Sequence, residues 1–384
     1  MEQFPQKLAL KLSERDASDS LRRLSEGNGL VDFSSNDYLG LARSEGIYAW
    51  AGQLVSDRDM TRNGSTGSRL LTGNHCLYEI LEDLLNKLHH GNSLMFNSGY
   101  DANIGFFASV PQRGDKVFYD EKIHASIRDG IRIGLAKGYK FQHNNLEHLR
   151  TLLDRTTLPG TERFVVTETV FSMDGDTPDL EGLVSLCRQY KCRLVVDEAH
   201  ALGVMAEKGM GLLQQRGLHD DAFARILTFG KAFGAHGAAI VGELHLREYL
   251  LNFARSFIYT TAMPPHSVAT LLASHHFMAT GTGRQKYQEL QELINYFRQT
   301  GDSMQMASYF TDSRSAIQCC LLPGNSKVKE VSRLLKGEGF DVRPILSPTV
   351  PEGTERLRFC LHSFNSKIEI RQVLELLHQY VSKI

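Results

Sequence analysis

Two runs, RFVVTE at residues 163–168 and RLVVDE at 193–198, constrain this chain more than anything else in it. Both are apolar through their middle and end in acids, and LEGLVSLCRQY between them spaces its apolar residues as a helix does. An unalternating apolar strand is buried on both faces, so strand, helix, strand reads as part of a parallel α/β sheet covered by helices. NSLMF, DKVFY, ARILTF and AAIVGE continue the pattern, which gives the expectation of a large α/β domain over residues 45–275. Ahead of it, residues 1–44 read as an N-terminal helix, LALKLSERDASDSLRRL, and an extended arm, VDFSSNDYLGL. Behind it, residues 276–384 read as a small α+β C-terminal domain. That domain opens with the helical RQKYQELQELINYFRQ, runs through SAIQCCLLPG, KVKEVSRLLKGEGF and ERLRFCLH, and closes with the helix IRQVLELLHQYV.

Composition excludes several function classes. A net charge of −1 over 384 residues sets up no basic field for nucleic acid or an anionic membrane. No apolar run approaches the ~20 residues of a membrane span, and MEQFPQKLALKLSERD has no signal-peptide core, so a cytoplasmic protein is expected. Six scattered cysteines form no CxxC pair; reduced thiols are expected, and no metal site.

In open α/β sheets chemistry collects at the carboxyl ends of the strands, and five unusual stretches sit there. In VDEAH, Asp197 follows Leu194, Val195 and Val196 and would emerge partly desolvated. Such a carboxylate stays ionised beside a cation, and the protonated ring nitrogen of pyridoxal phosphate is a partner that would make it useful. His200 could then meet the ring's phenolic oxygen; the plainer alternative is a helix-capping aspartate and a surface histidine. In TFGKAFGAHGA, Thr228 can offer its hydroxyl to a phosphate. There Gly230, Gly234 and Gly237 would let a flat group lie against the backbone around Lys231. The alternative is a lysine in a tightly packed loop. NSGYDAN would present the N–H groups of Gly99 and Tyr100 to an anion at a helix start, or be an ordinary turn. His124 in KIHAS could stack on a flat ring or decorate the surface. Ser172 in VFSMDGD could donate to a cofactor or belong only to a loop.

FSSNDYLGLA, GSTGSRLLTGN, SGYDAN, KIHASI, VFSMDGD, VDEAHALGV, TFGKAFGAHGA, IYTTAMPP and PTVPEGTERLR follow one another in a single order. In that order the chain resembles the α-oxoamine synthase family of fold-type I pyridoxal-phosphate enzymes, from Arg22 to the final helix. The resemblance implies an aspartate aminotransferase-like fold, with a mostly parallel central sheet in the large domain and a small α+β C-terminal domain. It implies that Lys231 holds pyridoxal 5'-phosphate covalently and later removes the α-proton, and that Asp197 pairs with the pyridinium nitrogen. His200 would contact the phenolic oxygen, and His124 would stack on the ring. Ser172, Thr228 and the backbone at Gly99 and Tyr100 would complete the cofactor site. Thr260 or Thr261 would reach a phosphate across the interface of a homodimer. Arg358 would grip the amino-acid carboxylate, while Arg22 and Thr349 would bind substrate.

The implied reaction is a decarboxylative condensation of L-alanine with a pimeloyl thioester, on coenzyme A or an acyl carrier protein. Sister reactions using glycine or serine are the alternatives. A catalytically silent partner subunit is a further one, although such a subunit would be expected to lack Lys231 or Asp197. Two departures from the family pattern stand out. Ala201 replaces a glycine or serine, and Asn365 ends FCLHSFN where a histidine is commoner.

Overall fold

A computed structural model of the protein describes residues 4–22, 24, 29–156 and 160–382. Packing divides the chain into two units: Met1–Ser35, Met173–Asp176 and Glu289–Ile384 form one, and Asn36–Ser172 with Thr177–Gln288 form the other.

The smaller unit begins with the helix Gln6–Ala17, none of whose residues is buried. The sequence suggested a helix running on through Leu24, but it stops earlier. Ser18 turns its hydroxyl back onto the Glu14 carbonyl at 2.9 Å, and Asp19 adopts a left-handed φ of 53°. Arg23, within the expected helix, lies outside the described residues. Strand β1 (Val31–Asp32) pairs in parallel with β10 (Phe340–Asp341). A second sheet orders β11 (Arg343–Ile345), β12 (Arg356–Cys360) and β9 (Ile317–Leu321) antiparallel. The final helix, Lys367–Val381, starts on a capping box in which Ser366 and Glu369 satisfy each other's backbone N–H groups. Residues 173–176 pack as part of this unit. Ser313 and Ser315 donate to the Gly175 carbonyl at 2.9 Å each, and Arg356 forms a buried ion pair with Asp174.

The larger unit is built on seven strands. These are β2 (Asn92–Phe96), β3 (Lys116–Asp120), β4 (Lys137–Phe141), β5 (Arg163–Glu168), β6 (Arg193–Asp197), β7 (Ala222–Thr228) and β8 (Ala238–Gly242). They lie in the order β2-β8-β7-β6-β5-β3-β4. Only β8 runs against its neighbours; every other pairing is parallel. β4 answers to no apolar run, because KGYKF forms an edge strand that leaves Lys137, Gly138 and Lys140 exposed. The central strands are buried through their middles: Val165 and Val196 face one side, while Val166, Val195 and Ile226 join Phe106 and Phe171 in the core on the other. Helices on both faces remove the sheet from water, so polar chemistry is confined to the strand ends. Among the described residues no helix is long and apolar enough to cross a membrane.

Candidate active site

β5 and β6 end side by side, with Glu168 and Asp197 as register partners, and both side chains are buried. The Asp197 carboxylate accepts the Ala199 N–H at 2.9 Å through Oδ1 and the Asn103 amide at 3.0 Å through Oδ2. Asn103 also donates to Ser126 Oγ at 3.0 Å, and that hydroxyl meets His124 Nδ1 at 2.7 Å. A continuous polar chain therefore joins Asp197 to His124, two residues singled out from sequence. Its middle members, Asn103 and Ser126, were not. Their signal lay in the motifs already quoted: Asn103 is an amide on the buried face of the helix Gly99–Ser109, beside Ala102, Phe106 and Phe107. A buried amide there needs polar partners. Glu198, the second acid of VDEAH, instead accepts the Leu213 N–H at 3.0 Å.

Lys231 lies just beyond β7. Its Nζ is 2.9 Å from His200 Nε2, and His200 Nδ1 is 2.8 Å from the Tyr38 hydroxyl, which donates to Asn36 Oδ1 at 3.1 Å. With the imidazole proton on Nδ1, all three bonds run one way, and His200 presents an acceptor to the lysine. Tyr38 is fully buried in DYLGL, a stretch expected as an extended arm and given no site residue by the family pattern.

Thr228, the last residue of β7, faces the start of the helix Gly99–Ser109. A Cβ at Gly99 would come within 2.4 Å of the Thr228 hydroxyl, so only glycine fits there. Ser98 caps that helix by accepting the Asp101 N–H at 3.1 Å. The N–H groups of Gly99 and Tyr100 belong to the first turn, where no intrahelical acceptor exists. The Tyr100 hydroxyl donates to Asp129 at 2.7 Å. Within this chain, Thr260 Oγ1 and the Thr261 carbonyl accept the Asn97 amide at 3.1 and 2.7 Å, next to the capping serine. Ser172 is buried directly after Phe171.

The glycines around Lys231 differ in what surrounds them. Gly234 has φ +59°, and a Cβ on it would stand 2.1 Å from the Ala42 backbone nitrogen. A Cβ on Gly237 would meet Met263 and Leu271, and one on Gly230 would meet nothing closer than 3.7 Å. Gly234 thus lets two backbone segments pack, whereas the backbone at Gly230 stays open. Gly234→Ala is expected to destabilise the fold by on the order of 3 kcal/mol, read from the midpoint of urea unfolding.

The charges at the strand ends act on one another. Burial pushes Glu168 up to about 8, with the neighbouring Asp197 adding to the rise and Lys231 opposing it. Desolvation lowers the His124 pKa; Asp197 opposes this and Lys231 adds to it, so the ring is neutral at pH 7.

In the smaller unit, Arg358 is buried on β12 with Nη1 2.8 Å from Cys360 Sγ. Arg22 and Thr349 line one cavity of about 480 Å³, together with Leu21, Ser347 and Pro348. The Asn365 departure has a structural role. Its Oδ1 accepts the His362 N–H at 2.9 Å and its Nδ2 donates to the Asp32 carbonyl at 3.1 Å, while His362 Nε2 meets Ser35. Ala201 is fully buried.

The family described as aminotransferase class I and II matches residues 28–377. An 8-amino-7-oxononanoate synthase from Emericella nidulans is 38% identical over 370 residues, covering 92% of this chain and 90% of that protein. The chain belongs to the aminotransferase class I and II family, on the 8-amino-7-oxononanoate synthase branch. Solved structures of the same architecture agree. Serine palmitoyltransferase from Sphingomonas wittichii superposes with a TM-score of 0.88 at 26% identity, over 98% of each chain. The 8-amino-7-oxononanoate synthase of Francisella tularensis does so with 0.78 at 27% identity, over 93% of this chain and 99% of that one. This aminotransferase-family chain therefore has the fold-type I transferase fold, and its strand-end cluster occupies the carboxyl edge where such sheets place their chemistry.

Proposed function

We propose that the chain catalyses the decarboxylative condensation of L-alanine with a pimeloyl thioester, on coenzyme A or an acyl carrier protein. The products are 8-amino-7-oxononanoate, carbon dioxide and the free thiol, a step of biotin synthesis. A carbon–carbon bond forms between the alanine α-carbon and the thioester carbonyl, the carbon–sulfur bond breaks, and the alanine carboxyl leaves as carbon dioxide. Membership of the synthase branch over nine-tenths of the chain is the observation that carries the substrates.

The cofactor is pyridoxal 5'-phosphate, and the residues fit it. Asp197 is a buried carboxylate held by two neutral N–H donors, with no cation at ion-pair distance among the described residues, so a ring N–H⁺ would supply the missing counter-charge. Close packing of Thr228 on Gly99 brings its hydroxyl beside the first-turn N–H groups of the helix Gly99–Ser109, donors that suit a phosphate. When bound, pyridoxal phosphate accepts into its ring the electron pair left at the amino acid's α-carbon. Lys231 would tether the group through Nζ and would take the α-proton. His200, bonded to both Lys231 and Tyr38, meets the phenolic oxygen. His124 covers the ring face, and Ser172, Thr228 and the Gly99 and Tyr100 N–H groups hold the phosphate side. Arg22 and Thr349 bind the acyl substrate.

Arg358 binds the alanine carboxylate as a charge-assisted pair. Arg358→Ala is expected to raise KM for alanine roughly 10- to 100-fold in steady-state assays, with a smaller loss in kcat. The working unit is a homodimer, in which Thr260 or Thr261 reaches the partner's phosphate. Exposed Leu70, Leu71 and Tyr259, in the stretches GSTGSRLLTGN and IYTTAMPP, support it as apolar surface needing cover. The six cysteines form no disulfide, which suits the cytoplasm.

A serine-using acyl transfer is the second reading, favoured by the higher TM-score of serine palmitoyltransferase. Release of labelled carbon dioxide from carboxyl-labelled alanine tests the choice: it should require a pimeloyl thioester. Release from serine with palmitoyl-CoA, and none from alanine, would select the second reading.

A further inference from the structure

Glu168 is a buried acid at the strand ends to which the reaction above gives no task. It closes β5, is 3% exposed, and stands in register beside Asp197. Its Oε1 accepts the backbone N–H of His124 at 2.5 Å. His124 is the cap of the helix Ala125–Ile133, and its Nδ1 is already engaged by Ser126. The imidazole is thus fixed from two directions: Ser126 holds the ring, and Glu168 holds the backbone that carries it.

We infer that Glu168 is a positioning residue of the active site, fixing His124 through its backbone N–H and standing beside Asp197 as the second carboxyl of a buried pair. The inference rests on the proposed reading of His124 and Asp197 as cofactor-binding residues. Every charged group facing Glu168 bears on its state. Asp197 from β6 and Asp120 from the end of β3 repel a second anion, whereas Lys231 beyond β7 and the His124 N–H favour one. Burial decides between them and pushes the Glu168 carboxyl up to about 8. Two adjacent buried carboxylates cannot both ionise cheaply, so a neutral Glu168 spares the strand ends a second anion. It still offers an acceptor oxygen to His124, since a protonated carboxyl retains one.

The sign of the pH effect follows. A carboxyl raised from its ordinary value to about 8 favours the fold fully below the ordinary value, and that contribution fades as pH rises through about 8. Glutamine keeps the acceptor oxygen and cannot ionise. In thermal melts of the holoenzyme, Glu168→Gln should therefore gain on the wild type between pH 6 and pH 9. Glu168→Gln should also hold kcat within about threefold at pH 7, losing the inflection near 8 in the absorbance of the bound cofactor. Glu168→Leu removes the acceptor and should lower kcat about 10²-fold, with a shifted absorption maximum, because the His124 ring is displaced.

The inference is overturned if Glu168→Gln melts in parallel with the wild type across that pH range, a result that does not depend on the leucine variant folding. It is overturned equally if Glu168→Leu keeps wild-type kcat and spectrum, or if glutamine is as damaging as leucine. If the wild type itself binds no pyridoxal phosphate, the functional reading falls first and takes this role with it. A loaded wild type with an indifferent Glu168 removes this inference alone.

Discussion

Lys231→Ala is expected to lower turnover by more than about 10³-fold, because one amine both tethers the cofactor and moves the α-proton. Lys231 has the surroundings for both tasks. His200 Nε2 at 2.9 Å takes a hydrogen bond from Nζ, and the relay through Tyr38 to Asn36 fixes the imidazole in the tautomer that accepts. Removal should leave the fold intact, since Lys231 is only partly buried and the backbone contact at Gly234 is independent of it. The check is borohydride reduction followed by peptide mass spectrometry. Wild-type protein should carry the reduced adduct on the Lys231 peptide, and Lys231→Ala should carry none. Added amines that restore part of the rate would confirm a proton-transfer role.

Asp197→Asn is expected to cost about 10²- to 10³-fold in kcat while altering KM for alanine little. The carboxylate's two protein bonds, from Ala199 and Asn103, fix its direction, so its charge is what the substitution removes. An asparagine amide would also point a donor at the Asn103 amide, which must rotate or lose its contact. Asn103→Ala gives the contrast. It keeps the charge but frees the carboxylate and breaks the chain to Ser126 and His124, so it should fall between wild type and Asp197→Asn. Steady-state kinetics on cofactor-saturated proteins separates the two, and equal losses would show that orientation, not charge, is what Asp197 supplies.

The central sheet was legible because burial on both faces writes itself as uninterrupted apolar runs, and six of its strands fall on them. β4 was not, since an edge strand needs no apolar run and KGYKF has none. The reversed direction of β8 left no trace either, because AAIVG is as buried as the parallel strands of the sheet. Strand-end position picked out Asp197, His200, Lys231 and His124 as candidates, and Arg22 and Thr349, read from the family pattern, line one cavity. What sequence spacing hid were the residues acting through others: Asn103, Ser126, Tyr38 and Glu168 reach their partners only once distant segments meet. The glycines around Lys231 were read toward a cofactor, whereas the fold uses Gly234 to bring residue 42 against the loop. Local composition shows that a backbone must be approached, not by what.

The most direct measurement is the mass of the product. Purified protein with pyridoxal phosphate would be offered alanine, glycine and serine together, with pimeloyl-CoA, the pimeloyl carrier protein and palmitoyl-CoA as acyl donors. 8-Amino-7-oxononanoate should be the dominant product, formed only when alanine and a pimeloyl thioester are both present. A product built on glycine or serine with alanine untouched, or amino-group exchange without loss of carbon dioxide, would contradict the account.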